Sequence, residues 1–187
     1  MPLPTLYLIT PNPQDETEFL AALERSLQAG IRLLQFKGKG LDEAGYRALA
    51  TRVIALAHQY GCKVLLSGEA ALVAELGADG LHLDSKALAA ATTRPVAAAY
   101  LLAVSGHTLQ ALQRGEQIGA DFGVLSPINY TSAHPDIAPL GWEGMRAIAE
   151  RLAMPIYALG GVTADDEAAA LAAGAQGIAG NKGLWRG

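Results

Sequence analysis

The chain has 187 residues, of which 51% are hydrophobic, so it can bury one sizeable core, and we expect a single domain over residues 1–187. A formal net charge of −4, with both signs scattered along the sequence, argues against a nucleic-acid-binding surface and makes small molecules the expected partners. No basic leader precedes the first strand-like run and no apolar run approaches the length of a bilayer span, so we expect a cytoplasmic protein with no membrane partner.

Short apolar runs alternate with alanine- and leucine-rich segments of helical period, which is the pattern of consecutive β/α units. The predicted strands are Leu6–Thr10, Ile31–Phe36, Lys63–Leu66, Gly80–Leu83, Tyr100–Val104, Phe122–Ser126, Ile156–Leu159 and Gly177–Ala179. The predicted helices are Glu16–Ala29, Asp42–Tyr60, Glu69–Leu76, Thr108–Ile118, Trp142–Leu152 and Ala164–Ala173, with only a poor helix between the fourth and fifth strands. This order predicts an α/β fold, a compact (β/α)8 TIM barrel.

A glycine recurs where a predicted helix gives way to the next strand, at Gly30, Gly77, Gly119 and Gly174. Such a glycine ends a helix in left-handed backbone, so the repeat supports the division into β/α units. Little sequence follows the eighth strand, and no full final helix is expected. We therefore expect Leu184 and Trp185 to form an exposed apolar patch, covered by a second copy of the chain, an attached domain or the N-terminal segment.

Two glycine-rich segments end the last two predicted strands, Ile156–Gly161 and Gly177–Gly183. Glycine leaves backbone N–H groups open to an anion, and the loops after the last two strands of such a barrel commonly hold phosphate. The pair therefore predicts a phosphate site. The alternative is that these glycines serve only tight turns and close packing.

Six segments are informative when taken in chain order: Leu34–Lys39, Gly77–Leu83, Ser105–His107, Gly119–Pro127, Pro139–Gly144 and Ala158–Gly161. In this order they resemble thiamine phosphate synthases and TenI proteins. Because they cover nearly the whole chain, it is identified as a member of that superfamily, which implies the same barrel. The synthases are transferases of thiamine biosynthesis that join an aminopyrimidine diphosphate to a thiazole phosphate, with Mg²⁺ assisting loss of pyrophosphate. TenI proteins tautomerise the thiazole.

The resemblance implies roles for individual residues. Those in the ligand-binding part are Gln35, Ser67, His107, Thr131, Ser132, Gly160, Gly161, Asn181 and Lys182, the last two through backbone N–H groups that hold the thiazole phosphate. The catalytic candidates are Lys37, Lys39, Ser105 and His134. Lys37 and Lys39 alternate along a predicted strand end, so both are expected to face the barrel mouth and contact pyrophosphate. The alternative for them is a solvated loop.

The resemblance fails at the metal site. The family's Asn-Asp-Arg stands here as Ser67-Gly68-Glu69, and its Gly-Gln-x-Asp as Asp84-Ser85-Lys86-Ala87, so both metal-binding aspartates are missing. Magnesium usually needs one or two carboxylates beside the phosphates. No cofactor is assigned; Asp84 or Glu69 could bind Mg²⁺ only at a relocated site, and Asp84 could equally cap a helix.

The loop Tyr130–His134 also departs from the family, which has Pro-Thr-x-Thr-Lys there. His134 replaces a permanently charged lysine by a group that titrates near neutrality, so it could act as the proton shuttle of a tautomerisation or be an exposed loop residue. His82 is expected to be packed and hydrogen-bonded, His58 to lie on a helix face, and Cys62 to be a small buried hydrophobe.

Three functions remain open from the sequence. The first is a thiamine-phosphate-synthase-like protein that binds thiazole phosphate or a related phosphorylated ligand, whose coupling activity is in doubt because the aspartates are absent. The second is a TenI-like thiazole tautomerase with His134 as acid and base. The third is a non-catalytic phosphate-ligand-binding or regulatory module that works with a Nudix-type partner, since the ending Gly180–Trp185 resembles family members fused to Nudix hydrolases.

Overall fold

The computed structural model describes residues 2–187 and contains eight parallel strands that close into a barrel in sequence order. The strands are β1 Leu6–Ile9, β2 Leu33–Phe36, β3 Lys63–Ser67, β4 Gly80–Leu83, β5 Leu101–Gly106, β6 Phe122–Leu125, β7 Ile156–Ala158 and β8 Gly177–Gly180. The helices are α1 Glu16–Gln28, α2 Glu43–Gln59, α3 Ala71–Leu76, α4 Ser85–Ala90, α5 Leu109–Gln117, α6 Gly141–Ala149 and α7 Glu167–Ala172, the last preceded by a 3-10 turn over Ala164–Asp166. The predicted (β/α)8 architecture is confirmed.

Three of the helices begin at an aspartate that caps their first turn. Asp15, Asp42 and Asp84 each accept a hydrogen bond from a backbone N–H three residues further on, at 2.8, 2.7 and 2.7 Å, and so cap α1, α2 and α4. The short α4 occupies the place where the sequence predicted only a poor helix. The helix predicted to end at Leu152 stops at Ala149.

The glycines at the helix ends adopt the backbone that the repeat predicted. Gly77 has a φ of 74°, and the three corresponding glycines, Gly30, Gly119 and Gly174, have φ values of 113°, 83° and 86°. A residue with a Cβ seldom adopts this conformation, so glycine lets the chain turn from the helix into the next strand.

The barrel interior is filled by a cluster of apolar side chains, separate from the core between strands and helices. Its members are Tyr7, Leu33, Leu65, Ala103, Phe122, Val124, Tyr157 and Ala179. Tyr7 lies among aromatic neighbours, with its ring centroid 5.2 Å from Phe122 and 5.5 Å from Tyr157. Because strand side chains alternate, the next inward positions lie one layer nearer the carboxyl ends of the strands, at the barrel mouth.

The last residues of the chain pack against α1, so the prediction of an exposed apolar patch at Leu184 and Trp185 is wrong. Leu184 is 2% exposed, and the half-buried Trp185 ring lies 5.0 Å from that of Phe19. The backbone of Arg186 adds hydrogen bonds to Ser26 Oγ and Arg25 Nε, at 2.9 and 2.7 Å. The chain therefore covers this flank itself, because the segment after β8 folds back over the first helix.

Cys62 is buried as predicted, and burial raises the pKa of its thiol to about 12.

Within residues 2–187, none of the helices combines the length and apolar character that crossing a bilayer requires.

Candidate functional site

Four inward-facing polar side chains from consecutive strands line one side of the barrel mouth. They are Gln35 of β2, Ser67 of β3, His82 of β4 and Ser105 of β5, and we call them the polar arc. Gln35 Nε2 donates to Ser67 Oγ at 2.7 Å, and His82 Nε2 lies 2.6 Å from Ser105 Oγ. The structure thus brings together Gln35 and Ser67, which were predicted to bind ligand, and Ser105, which was predicted to be catalytic, directly above the apolar cluster that fills the barrel.

Tyr7 supports the polar arc from below. Its buried hydroxyl lies 2.8 Å from His82 Nδ1, so Tyr7, His82 and Ser105 form a continuous hydrogen-bonded chain from the core to the mouth. Burial, reinforced by the charge of Lys37, lowers the pKa of His82 to about 3, while Asp84 acts in the opposite direction. Burial likewise raises the pKa of Tyr7 far above its usual range. Both side chains are therefore neutral near pH 7, and the prediction that His82 is packed and hydrogen-bonded is confirmed.

The two lysines after β2 do not alternate along a strand, and that part of the prediction is wrong. The strand ends at Phe36, and Gly38 between the lysines has a φ of 59°. A Cβ on Gly38 would lie 2.6 Å from the Tyr46 ring, so this close packing bends the chain away from the strand line. Lys37 is near enough to His82 to affect its titration. Lys39 is exposed and, within residues 2–187, makes no hydrogen bond or ion pair.

The structure gives no support to a relocated metal site. Asp84 Oδ1 accepts from Ala87 N at 2.7 Å and serves as the cap of α4, which was the alternative interpretation. Glu69 is exposed, and residues 2–187 contain no group of three or more His, Cys, Asp or Glu side chains placed to hold a metal ion. Gly68 has a φ of 126°, where an aspartate would be strained. The backbone here therefore no longer suits the carboxylate that the family resemblance implies.

The segments at the ends of β7 and β8, residues 160–163 and 180–183, lie side by side, and we call them the glycine cradle. Ala158 and Ile178 pair in the sheet just before the loops begin. A Cβ added to Gly183 would lie 3.4 Å from the Cβ of Ala164. Within residues 2–187, no acceptor is found for several backbone N–H groups of the cradle: those of Gly160, Gly161, Val162, Asn181, Lys182 and Gly183.

The paired glycines after β7 also have a packing role. A Cβ on Gly160 would lie 2.8 Å from Pro127 Cα, and one on Gly161 would lie 2.4 Å from the Tyr130 carbonyl oxygen. Asn129 completes the contact, because its N–H donates to Gly160 O at 2.9 Å and its Nδ2 donates to Gly161 O at 3.3 Å. Close approach of the loop after β6 therefore requires these glycines, while their N–H groups stay open.

The segment after β8 forms a tight turn. Leu184 N donates to Asn181 O at 3.1 Å, and Gly183, the third residue of the turn, has a φ of 76°. A turn of this kind requires glycine at the third position. It leaves the N–H groups of Asn181 and Lys182 at an exposed surface.

A pair of histidines lies at another edge of the mouth. His107, after β5, and His134, in the loop after β6, have ring centroids 5.2 Å apart in an edge-to-face arrangement. His107 Nδ1 lies 2.8 Å from Ser126 O and therefore carries its proton there, because a carbonyl can only accept. Thr131 and Ser132 precede His134, and the Thr131 carbonyl accepts from His134 N at 3.2 Å.

A cavity of about 480 Å³ opens at the opposite end of the barrel. Its walls include the N-terminal residues 2–6, Arg32, Tyr60 and Lys63. The residues predicted for the ligand site do not line it, since they all lie at the carboxyl ends of strands or in the loops that follow.

Sequence reasoning missed Tyr7 and Asn129 as parts of the site. A tyrosine and a histidine at inward positions of their strands were the available signal for Tyr7 and His82, but pairing them requires the barrel register. Asn129 carried no signal, because its role depends on how the loop after β6 folds.

Comparison with known proteins gives a consistent result. The family model described as thiamine monophosphate synthase matches residues 6–184. A relative from Aquifex aeolicus, "Putative thiamine-phosphate synthase 2", is 34% identical over 180 residues, covering 96% of this chain and 97% of the relative. One from Geobacter sulfurreducens, "Putative thiamine-phosphate synthase", is 31% identical over 178 residues, covering 94% and 84%. A Pyrococcus furiosus structure, "Thiamine phosphate pyrophosphorylase", has a TM-score of 0.75 at 22% identity, covering 94% and 84%, and supports the fold alone.

Proposed function

Because the chain belongs to the thiamine monophosphate synthase family, we propose that it binds a phosphorylated ligand of thiamine metabolism, thiazole phosphate in the first place, at the barrel mouth. The phosphate group would lie on the glycine cradle. The rest of the ligand would extend toward the polar arc, where Gln35, Ser67 and Ser105 offer hydrogen bonds. A cytoplasmic location stays an expectation from the sequence.

The open amides of the glycine cradle carry this proposal. N–H groups from two adjacent loops have no acceptor within residues 2–187, and both loops follow the carboxyl ends of neighbouring strands. N–H groups left without acceptors in neighbouring loops are suited to an oxyanion, whose charge strengthens each hydrogen bond. Lys182 is exposed beside them and would add a long-range attraction.

Coupling of an aminopyrimidine diphosphate to the thiazole is a separate question. Departure of pyrophosphate concentrates negative charge, which is most effectively stabilised by a metal ion together with Lys or Arg side chains. Gly68 and Ala87 provide no carboxylate, Asp84 is engaged as a helix cap, and Lys37 provides a point charge without the bidentate geometry of an arginine. We therefore propose that ligand binding persists while Mg²⁺-dependent coupling is very slow or lost.

Two measurements test these statements independently. Calorimetric titration with thiazole phosphate should show saturable binding, and the same protein incubated with both phosphorylated halves and Mg²⁺ should form little thiamine phosphate. Rapid coupling would overturn the second statement and leave the first. Failure to bind thiazole phosphate, with the barrel folded by circular dichroism, would overturn the proposed ligand.

A thiazole tautomerase is the second candidate, and the contact between His107 and His134 favours it. Tautomerisation needs one proton removed and another returned, which a neutral imidazole can perform without a metal. The assay is isomerisation of the thiazole phosphate precursor, followed by the change in its ultraviolet spectrum. Tight binding without isomerisation or coupling would instead support the non-catalytic module, for which a Nudix-type partner and self-association stay predictions.

A further inference from the structure

In the hydrogen-bonded chain of Tyr7, His82 and Ser105, it is fixed which group donates each hydrogen bond and which accepts it. Tyr7 is fully buried, and the one hydrogen bond of its hydroxyl within residues 2–187 is to His82 Nδ1, at 2.8 Å. A hydroxyl proton buried without an acceptor is costly, so the Tyr7 O–H must donate to His82 Nδ1. That nitrogen is consequently the unprotonated one.

The protonation of His82 then decides which atom donates in its hydrogen bond to Ser105, at the barrel mouth. A neutral imidazole carries a single proton, so His82 must hold it on Nε2, which lies 2.6 Å from Ser105 Oγ. Ser105 therefore accepts from His82 and cannot donate to it. The serine hydroxyl proton has no other acceptor within residues 2–187, and Ser105 is partly exposed at the mouth.

We propose that Tyr7 and His82 are positioning residues that orient the Ser105 hydroxyl as a donor toward a second anionic group of the ligand, beside the polar arc and apart from the phosphate on the glycine cradle. The inference rests on the proposed function, because it takes the mouth as the place of a phosphorylated ligand. If Ser105 instead donated its proton to His82, the lone pairs of the serine oxygen would face the anion and repel it. The charge of Lys37, which acts on the His82 ring, adds positive potential to this part of the mouth.

The first test reads the direction without any ligand. In protein labelled with ¹⁵N-histidine, two-bond ¹H–¹⁵N spectra show which ring nitrogen is protonated, and the His82 signal is the one missing from His82→Gln. We expect protonation on Nε2 alone, unchanged from pH 7 to pH 5. Protonation on Nδ1, or a cationic ring in this range, would overturn the proposal whatever the ligand proves to be.

The second test measures calorimetric affinity for inorganic pyrophosphate. Ser105→Ala should weaken binding roughly tenfold, as loss of a hydrogen bond to a charged group does, and Ser105→Thr should restore most of it. Tyr7→Phe lets His82 adopt both tautomers, which should weaken binding about twofold if half the molecules switch. Tyr157→Phe is the matched control, because its hydroxyl donates to Pro4 O at 2.6 Å, at the far end of the barrel.

The outcomes separate the two proposals. Equal losses in Tyr7→Phe and Tyr157→Phe, or an unchanged affinity in Ser105→Ala, would overturn the positioning role while thiazole phosphate binding by the wild type still stands. A wild type that binds neither pyrophosphate nor thiazole phosphate would overturn the proposed function and, with it, the anion assigned to Ser105.

Discussion

His107 and His134 lie edge to face at the barrel mouth, with ring centroids 5.2 Å apart and the Nδ1 proton of His107 directed to Ser126 O. In neutral His107 this leaves Nε2 with a free lone pair, so one imidazole can accept a proton while its neighbour supplies one. Two imidazoles in contact can act as a general acid and a general base without a metal. They follow different strands, β5 and β6, and were predicted from separate motifs of the sequence.

If the chain is a tautomerase, removing either ring should slow isomerisation strongly. We expect His134→Gln and His107→Gln to lower kcat by about 10² to 10⁴, the usual contribution of a general acid or base. His58→Gln is the control, because His58 lies on α2 and is bonded to Asp79 at 2.8 Å, outside the mouth. Variants that lower only the affinity, with kcat unchanged, would assign the pair to binding.

Lys182 allows the backbone and side-chain parts of phosphate binding to be separated. It is the second residue of the turn that Leu184 N closes on Asn181 O, and proline is favoured at that position when glycine follows with positive φ. Lys182→Pro should therefore fold normally but lose one N–H donor, weakening thiazole phosphate binding roughly tenfold or more.

Lys182→Ala is the matched variant, because it keeps the N–H and removes only an exposed charge. Its expected loss is no more than about fivefold and should shrink at high salt. Calorimetric titration of both variants decides the matter. If alanine weakens binding as much as proline does, the ligand is held by the side chain and the glycine cradle is not the phosphate site.

The sequence predicted the fold well and the site only in outline, for identifiable reasons. Strand positions follow from local periodicity, and Gly77 marks its helix end through a local backbone requirement. The contact of Tyr7 with His82 joins residues 75 positions apart and depends on the register of several strands. The burial of Trp185 depends on how the last residues fold back over Phe19. Interactions of this kind are set by tertiary packing and leave no local pattern.

Gly68 and Ala87, the two positions that match the missing aspartates, should respond differently to restoration. Gly68 has a φ of 126°, so Gly68→Asp should lower the free energy of unfolding by about 1 to 3 kcal/mol through backbone strain. Ala87 is exposed in the first turn of α4, and Ala87→Asp should change it by less than about 0.5 kcal/mol. Urea unfolding measures both. If both substitutions change the free energy of unfolding equally little, the backbone at Gly68 relaxes readily to accept a carboxylate.

The packing of Trp185 on Phe19 should contribute measurably to stability. Trp185 is half-buried, so Trp185→Ala should lower the free energy of unfolding by about 2 kcal/mol, less than the cost of emptying a fully buried aromatic site. The control is Leu171→Ala, since Leu171 is 46% exposed and should tolerate truncation. If the two variants have the same free energy of unfolding, the last residues of the chain do not pack stably on α1 in solution.

His82 should make the stability of the protein fall with acid. Its pKa is lowered from 6.5 in the unfolded chain to about 3 in the fold, first by burial and then by Lys37. Above pH 6.5 neither state binds the proton. Between about pH 6.5 and pH 3 the unfolded chain binds a proton that the folded chain refuses, so this stabilising contribution is lost as the pH falls.

The loss approaches about 1.4 kcal/mol for each pH unit below the unfolded pKa. His82→Gln removes that titration while retaining a group that can accept from Tyr7 and donate to Ser105. The difference in unfolding free energy between wild type and variant, measured in urea at pH 7, 6, 5 and 4, should therefore shift steadily in favour of the variant below about pH 6. Parallel curves across this range would show that His82 is protonated in the folded state, which contradicts its burial in a hydrogen-bonded chain with Tyr7.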